Sequence, residues 1–302
     1  MKNFIKWFIR ISLGVLGFIL LIYVISWFSF NSWRQNSLDA LPGNSVVTET
    51  SKGPVEYVME GESQNYTLLL HGTPGSYRTF GISPLLENDF SVISPSRPGY
   101  FRTPLSVGET AQEQADAYAA LLDTLHIDSV IVIAYSGGGP SAIQFALRHP
   151  DKCSRLVLIS VISQKVTSEG SFIQSLFSME YGTWFLIKLM LLQSQDENFI
   201  PVAETYLQSD IFPPSETKSG RENDIYQFTH LEDYPLEQIQ VPTIIIHGTN
   251  DEIIPISEAE NLALKIPAAR LLKQDGKDHF QVVFFEVESV YSQVASLLRE
   301  PQ

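Results

Sequence analysis

The sequence predicts an α/β protein, with a mostly parallel sheet covered by helices on both faces. Short apolar runs (Leu68-Leu69-Leu70, Val130-Ile131-Val132-Ile133, Leu156-Val157-Leu158-Ile159 and Ile244-Ile245-Ile246) read as buried strands. Helix-like stretches alternate with them, as in sheets of parallel strands. Several of these runs pass directly into turns that carry reactive side chains.

The chain begins with ten residues containing Lys2, Lys6 and Arg10, and then runs from Ile11 to Phe30 without a charge. As a helix, those twenty residues span about 30 Å, the thickness of the hydrocarbon layer. Only Arg34 follows closely, so the positive-inside bias places residues 1–10 in the cytoplasm and the rest across the membrane. A cleaved signal peptide is the rival, which would leave a secreted protein. Its apolar core is shorter, about 7–15 residues, and it ends at small residues. Here the exit is bulky, with Trp27, Phe28 and Trp33 suited to an interfacial belt. Residues 31–43 turn polar, end in Pro42-Gly43 and read as a linker.

From residue 44 to 302 the pattern fits one large domain with an insertion. Strands are expected over 45–50 and 55–60. Next comes Tyr66-Thr67-Leu68-Leu69-Leu70, followed by His71-Gly72-Thr73-Pro74-Gly75. Phe90-Ser91-Val92-Ile93 is a further strand, with Ser94-Pro95-Ser96-Arg97-Pro98-Gly99-Tyr100 as its turn. Residues 111–125 place Ala115, Tyr118, Ala119, Leu122 and Leu125 on one helical face.

The strand 130–133 leads into Ala134-Tyr135-Ser136-Gly137-Gly138, and a helix-like stretch, 140–148, follows. A strand, a tight turn with serine at its apex and then a helix make a nucleophile elbow. Its strained backbone needs small neighbours two residues away, and Ala134 and Gly138 supply them. A serine hydroxyl needs a base and an acid to orient that base. After the strand 241–246 comes His247-Gly248-Thr249-Asn250-Asp251, and after 270–272 comes Gly276-Lys277-Asp278-His279. Asp251 is the candidate acid, with Glu252 behind it, and His279 the candidate base. Asp278 adjoins His279, so its carboxylate points elsewhere. A long amphipathic helix is expected over about 281–299.

Taken together, these turns resemble the α/β-hydrolase superfamily, over roughly residues 45–300. The resemblance implies a Ser136–His279–Asp251 triad in the family's chain order. It also implies an oxyanion hole built from the backbone N–H groups of Thr73, after His-Gly, and of Gly137. The 94–100 turn resembles one in which an acidic residue is common. Here Ser96 or Pro95 takes its place, and the turn reads as architectural. The first elbow position is Ala134 where many relatives have Gly.

The resemblance also places a helical cap at about 163–235. Its middle is rich in large apolar residues from Phe172 to Leu192, which form either the cap's own core or a face for an apolar acyl group or the bilayer. The stretch 201–233 reads as acidic and loop-like.

The net charge of −14 and the lack of a basic patch exclude nucleic-acid binding. The single cysteine, Cys153, excludes an intramolecular disulfide framework. No His/Asp/Glu cluster has metal-ligand spacing, so no metal and no cofactor are expected. The expected partners are a small apolar substrate and a membrane, and oligomeric state is not legible. The resulting expectation is a membrane-anchored serine hydrolase cleaving a carboxylic ester. The alternatives are a proline-iminopeptidase-like aminopeptidase, a carbon–carbon bond hydrolase, or a catalytically silent binding protein. A serine at the apex argues against epoxide hydrolase and dehalogenase chemistry, which uses aspartate there.

Overall fold

A computed structural model describes residues 2–39, 43–78, 81–166, 181–182, 184–185, 188–189 and 214–299. Most of the predicted cap, including Phe172 to Leu176, lies outside the described residues. The chain divides into two compact units, one of Met1–Leu41 with Gly170–Gln195 and the other of Pro42–Glu169 with Asp196–Gln302.

In the first unit, a single helix α1 runs over Lys2–Asp39. The segment expected to be a linker from residue 31 is therefore helical to Asp39, because no Gly or Pro interrupts it before Pro42-Gly43. From Phe4 to Asn36 the helix is long and apolar enough to cross a membrane. Leu13, Leu16 and Leu20 are exposed. One face near its end is covered. Tyr23, Trp27 and Phe30, spaced i, i+4, i+7, each place a ring centroid within 6 Å of Tyr181 (5.6 Å in all three cases). Trp184 packs on Phe30 at 5.7 Å, and both residues are buried. The Ser26 hydroxyl shares a 2.5 Å hydrogen bond with the Tyr181 hydroxyl.

In the second unit, eight strands form one sheet: β1 (Val46–Thr50), β2 (Gly53–Glu60), β3 (Tyr66–Leu70), β4 (Ser91–Pro95), β5 (Val130–Tyr135), β6 (Cys153–Ile159), β7 (Thr243–Gly248) and β8 (Ala269–Gln274). The order is β1-β2-β4-β3-β5-β6-β7-β8. β2 runs antiparallel to β1 and β4, and every other pairing is parallel. Both faces of the central strands are buried, and side-chain alternation divides them between two cores. Leu68, Leu70, Val132, Ala134, Leu156 and Leu158 face one core, together with α3 (Ala111–Thr124) and α4 (Gly139–Arg148). Leu69, Ile133, Tyr135, Val157 and Ile159 face the other. Cys153 is buried at the start of β6, which pushes its thiol up to about 12.

Two further elements differ from the sequence expectation. The stretch 201–233, expected to be loop-like, contains the helix α5 (Pro214–Thr229), which follows α2 (Ser83–Glu87), α3 and α4 in chain order. Its buried face is Thr217, Gly220, Arg221, Asp224 and Phe228. That spacing is helical, but the stripe is almost wholly polar, so hydropathy does not reveal it.

The long helix expected over 281–299 is divided. A π-helical turn, Gln281–Phe285, precedes the helix Val287–Leu298. The wider turn lets Val282, Val283 and Phe284 all be buried before the regular stripe of Val287, Val290, Tyr291 and Val294 begins.

The 94–100 turn lacks its own acid, but Glu56 of β2 supplies a carboxylate. Its buried oxygens accept from the Ser45 and Ser96 hydroxyls at 2.9 and 2.8 Å and from Arg102 Nε at 2.7 Å.

Candidate active site

The turns after β3, β4, β5, β7 and β8 all leave the same, carboxyl-terminal edge of the parallel strands. Open α/β sheets bind ligands at that edge. The neighbours of β3 are β4 and β5, so the strand order reverses beside Ser136.

Ser136 has a φ of +50°, a left-handed conformation that costs a non-glycine residue energy. The surrounding packing holds it there. A Cβ on Gly138 would lie 2.6 Å from the Leu70 carbonyl oxygen, so only glycine fits the turn. The N–H of Ile162 donates to the Ser136 carbonyl at 3.1 Å. The strain projects the hydroxyl off the end of β5.

His279 Nε2 lies 3.2 Å from Ser136 Oγ, and His279 Nδ1 lies 2.7 Å from Asp251 Oδ2. Asp251 is buried, and its other oxygen accepts from the N–H groups of Ile253 and Ile254 at 3.0 and 2.8 Å. Burial alone would raise its carboxyl, but the hydrogen bonds it accepts from His279 and from the Ile254 N–H outweigh that and hold it below its ordinary value. An ionised Asp251 fixes the proton of His279 on Nδ1 and leaves Nε2 free to accept the serine proton.

Glu252, the weaker acid candidate, is exposed. Asp278 turns away from the imidazole. Its Oδ1 accepts from the Gln281 N–H at 2.8 Å, while Gln281 Oε1 accepts from the Asp278 N–H at 2.9 Å. This reciprocal pair sets the turn that carries His279.

His247 steadies the same region. Its Nε2 donates to the Ile254 carbonyl at 2.8 Å, and burial lowers its pKa and keeps it neutral.

Thr73 and Gly137 lie against each other. A Cβ on Gly137 would overlap the Thr73 hydroxyl and come within 3.0 Å of Phe228 Cζ. A Cβ on Gly72 would lie 3.0 Å from Ser136 Cβ. The 72–73 turn therefore presses on both the nucleophile and the residue that follows it.

The sequence reading missed Arg97 and Asp224. Both are buried, and they pair at 2.6 and 3.0 Å. The one signal in the sequence is the Arg97-Pro98-Gly99-Tyr100 turn after β4. Among the described residues, no group of three or more His, Cys, Asp and Glu could hold a metal ion.

Known proteins with similar sequences and folds are hydrolases. Residues 68–285 match the family described as the alpha/beta hydrolase fold. An uncharacterized hydrolase, YcgS, of Bacillus subtilis is 39% identical over 113 residues, which cover 37% of this chain and 40% of that protein. A pimeloyl-[acyl-carrier protein] methyl ester esterase of Aromatoleum aromaticum is 27% identical across 70% of this chain and 90% of its own. A 2-hydroxy-6-oxononadienedioate/2-hydroxy-6-oxononatrienedioate hydrolase of Pseudomonas putida is 26% identical across 70% and 80%.

Among solved structures, an alpha/beta hydrolase fold protein from Nakamurella multipartita superimposes with a TM-score of 0.70 at 27% identity. It covers 84% of this chain and 99% of its own. With most of its length matched by that family's model, the chain belongs to the alpha/beta hydrolase fold family.

Proposed function

We propose that this hydrolase is a membrane-anchored serine esterase that cleaves a carboxylic ester with an apolar acyl or alcohol group. The observation that carries the reading is the chain Ser136 Oγ, His279 Nε2, His279 Nδ1, Asp251 Oδ2, with both links within hydrogen-bond reach. His279 takes the serine proton as Oγ attacks the acyl carbon. The N–H groups of Thr73 and Gly137 receive the oxyanion. His279 then gives the proton to the leaving alcohol, and an acyl-serine remains. Water activated by His279 releases the acid and restores the serine.

An apolar substrate is supported by Phe228 above Gly137 and by exposed Ile253 and Phe280 beside Asp251 and His279 in the chain. The Aromatoleum relative is named for ester cleavage. The helix α1 supplies the anchor, with residues 1–10 cytoplasmic and the hydrolase unit beyond the membrane.

A second reading, carbon–carbon bond cleavage of a 2-hydroxy-6-oxo-dienoate, is favoured by the Pseudomonas putida relative. The test is fluorophosphonate labelling of the full chain, followed by a panel of p-nitrophenyl esters of different acyl lengths, prolyl-arylamides and a 2-hydroxy-6-oxo-dienoate. Labelling of Ser136 with fastest turnover on esters supports the esterase. Folded protein that does not label contradicts any serine mechanism.

A further inference from the structure

Arg97 follows β4 and is buried beneath the donor turn. Its Nη1 donates to the Gly72 carbonyl at 3.2 Å and, more weakly, to the His71 carbonyl at 3.4 Å. It also reaches the Thr73 hydroxyl at 3.2 Å. His71 Nδ1 lies 2.9 Å from the same Gly72 carbonyl, and His71 Nε2 accepts from the Arg97 N–H at 3.0 Å. That acceptor role places the ring proton on Nδ1, so both Nδ1–H and the guanidinium donate to Gly72. Burial, with the Arg97 charge beside it, keeps the imidazole neutral.

The Gly72 carbonyl and the Thr73 N–H belong to one peptide unit. In a trans unit they point in opposite directions. Two donors holding the carbonyl therefore fix where the Thr73 N–H is aimed, and they strengthen it as a donor.

Arg97 is itself held by α5. Asp224 of α5 pairs with both Arg97 terminal nitrogens. It accepts from the Thr73 hydroxyl at 2.5 Å and from the Tyr100 hydroxyl at 2.6 Å. α5 is seated by two backbone bonds to the same turn: Gly220 N–H to the Gly99 carbonyl at 2.8 Å, and Phe101 N–H to the Glu216 carbonyl at 2.6 Å. A Cβ on Gly220 would overlap the Tyr100 ring.

We propose that Asp224 is a positioning residue for the oxyanion hole: by holding Arg97 and the Thr73 hydroxyl, it fixes the Gly72–Thr73 peptide with its N–H turned to the nucleophile. The proposal rests on the serine-esterase reading above. It makes one of the two oxyanion donors dependent on the seating of α5, so the site is complete only when α5 is docked.

The experiment compares full-length wild type and Asp224→Asn in detergent, on a p-nitrophenyl ester and on the matching thionoester. Active sites are counted by fluorophosphonate titration. A thionoester builds charge on sulfur, a weak acceptor, and gains little from the hole. The loss of a well-aimed donor predicts kcat per titrated site lower by about 10²-fold, with KM changed by less than about threefold. It also predicts a fall of about tenfold or more in the preference for oxygen over sulfur ester. A purely structural role for Asp224 would lower the number of titratable sites and leave both per-site quantities unchanged, and that result overturns the proposal.

If Asp224→Asn does not accumulate folded, Thr73→Val makes the same test. It removes the hydroxyl held by Asp224 and keeps the peptide N–H. Its oxygen preference should fall and Thr73→Ser should restore it, whereas an unchanged preference overturns the proposal. Ser136→Ala is the separate control. Ester turnover that persists in it defeats the esterase reading itself, whatever Asp224 does.

Discussion

His279 Nε2 stands 3.2 Å from Ser136 Oγ, although 143 positions separate the two residues. The pairing depends on two loops, one strained at Ser136 and one capped by Asp278 and Gln281, and on Asp251 behind the imidazole. Each dependence can be tested.

Ser136→Ala should lower ester turnover by about 10⁴-fold or more, and Asp251→Asn by roughly 10⁴-fold, because the amide no longer holds the proton of His279 on Nδ1. Steady-state kinetics on one ester measures both. Turnover by Asp251→Asn close to that of wild type would show that Asp251 is not the orienting acid.

Gly137→Ala would drive a methyl group into the Thr73 hydroxyl and towards Phe228. The two donors would be pushed apart, and kcat should fall by about 10²-fold while the fold persists. Circular dichroism together with kinetics checks this. Wild-type kcat in the alanine variant would show that the hole lies elsewhere.

Glu56→Ala should destabilise the hydrolase unit by roughly 1–3 kcal/mol, because Ser96 and Arg102 lose their acceptor. Urea unfolding followed by tryptophan fluorescence would report it. An unchanged midpoint would mean that water replaces the carboxylate at no cost.

Stability should fall on acidification. Burial lowers the imidazoles of His71 and His247 below their ordinary value of 6.5, and for His71 the Arg97 charge adds to the effect. The unfolded chain takes up a proton at each as pH drops through 6.5, and the folded chain does so only at lower pH. The folded state therefore loses stability below that value. Asp251, held below 3.8, adds a second loss as pH falls through 3.8 towards its folded value. Thermal midpoints measured from about pH 8 to about pH 5 should decline on the acid side. A flat profile would contradict the burial of neutral imidazoles.

The full chain should stay with membranes after an alkaline carbonate wash, and protease added outside the cell should reach the hydrolase unit while residues 1–10 are protected. Recovery of a soluble form lacking the first thirty or so residues (roughly a signal-peptide length) would indicate cleavage instead.

The strands, the elbow and the three residues that meet at it were legible because each is a local pattern. An apolar run leads into a turn, and the turn carries one reactive side chain. Sheet topology then brings those turns to one edge without further information. α5 was not legible. Its buried stripe of Thr217, Gly220, Arg221, Asp224 and Phe228 has helical spacing, but its affinity for the core comes from charge and hydrogen bonds. The Arg97–Asp224 pair joins positions 127 apart, and neither residue announces the other in the sequence. The replacement of the turn's usual acid by Glu56 was hidden for the same reason, since the carboxylate arrives from a neighbouring strand.

The ring cluster of Tyr23, Trp27, Phe30, Tyr181 and Trp184 bears on how the protein can be handled. A shortened version starting near residue 42, the obvious route to a water-soluble preparation, would strip the cover from Tyr181 and Trp184. Newly bared indole and phenol surfaces attract one another, so such a preparation is expected to clump, and detergent extraction of the intact polypeptide is the sounder course.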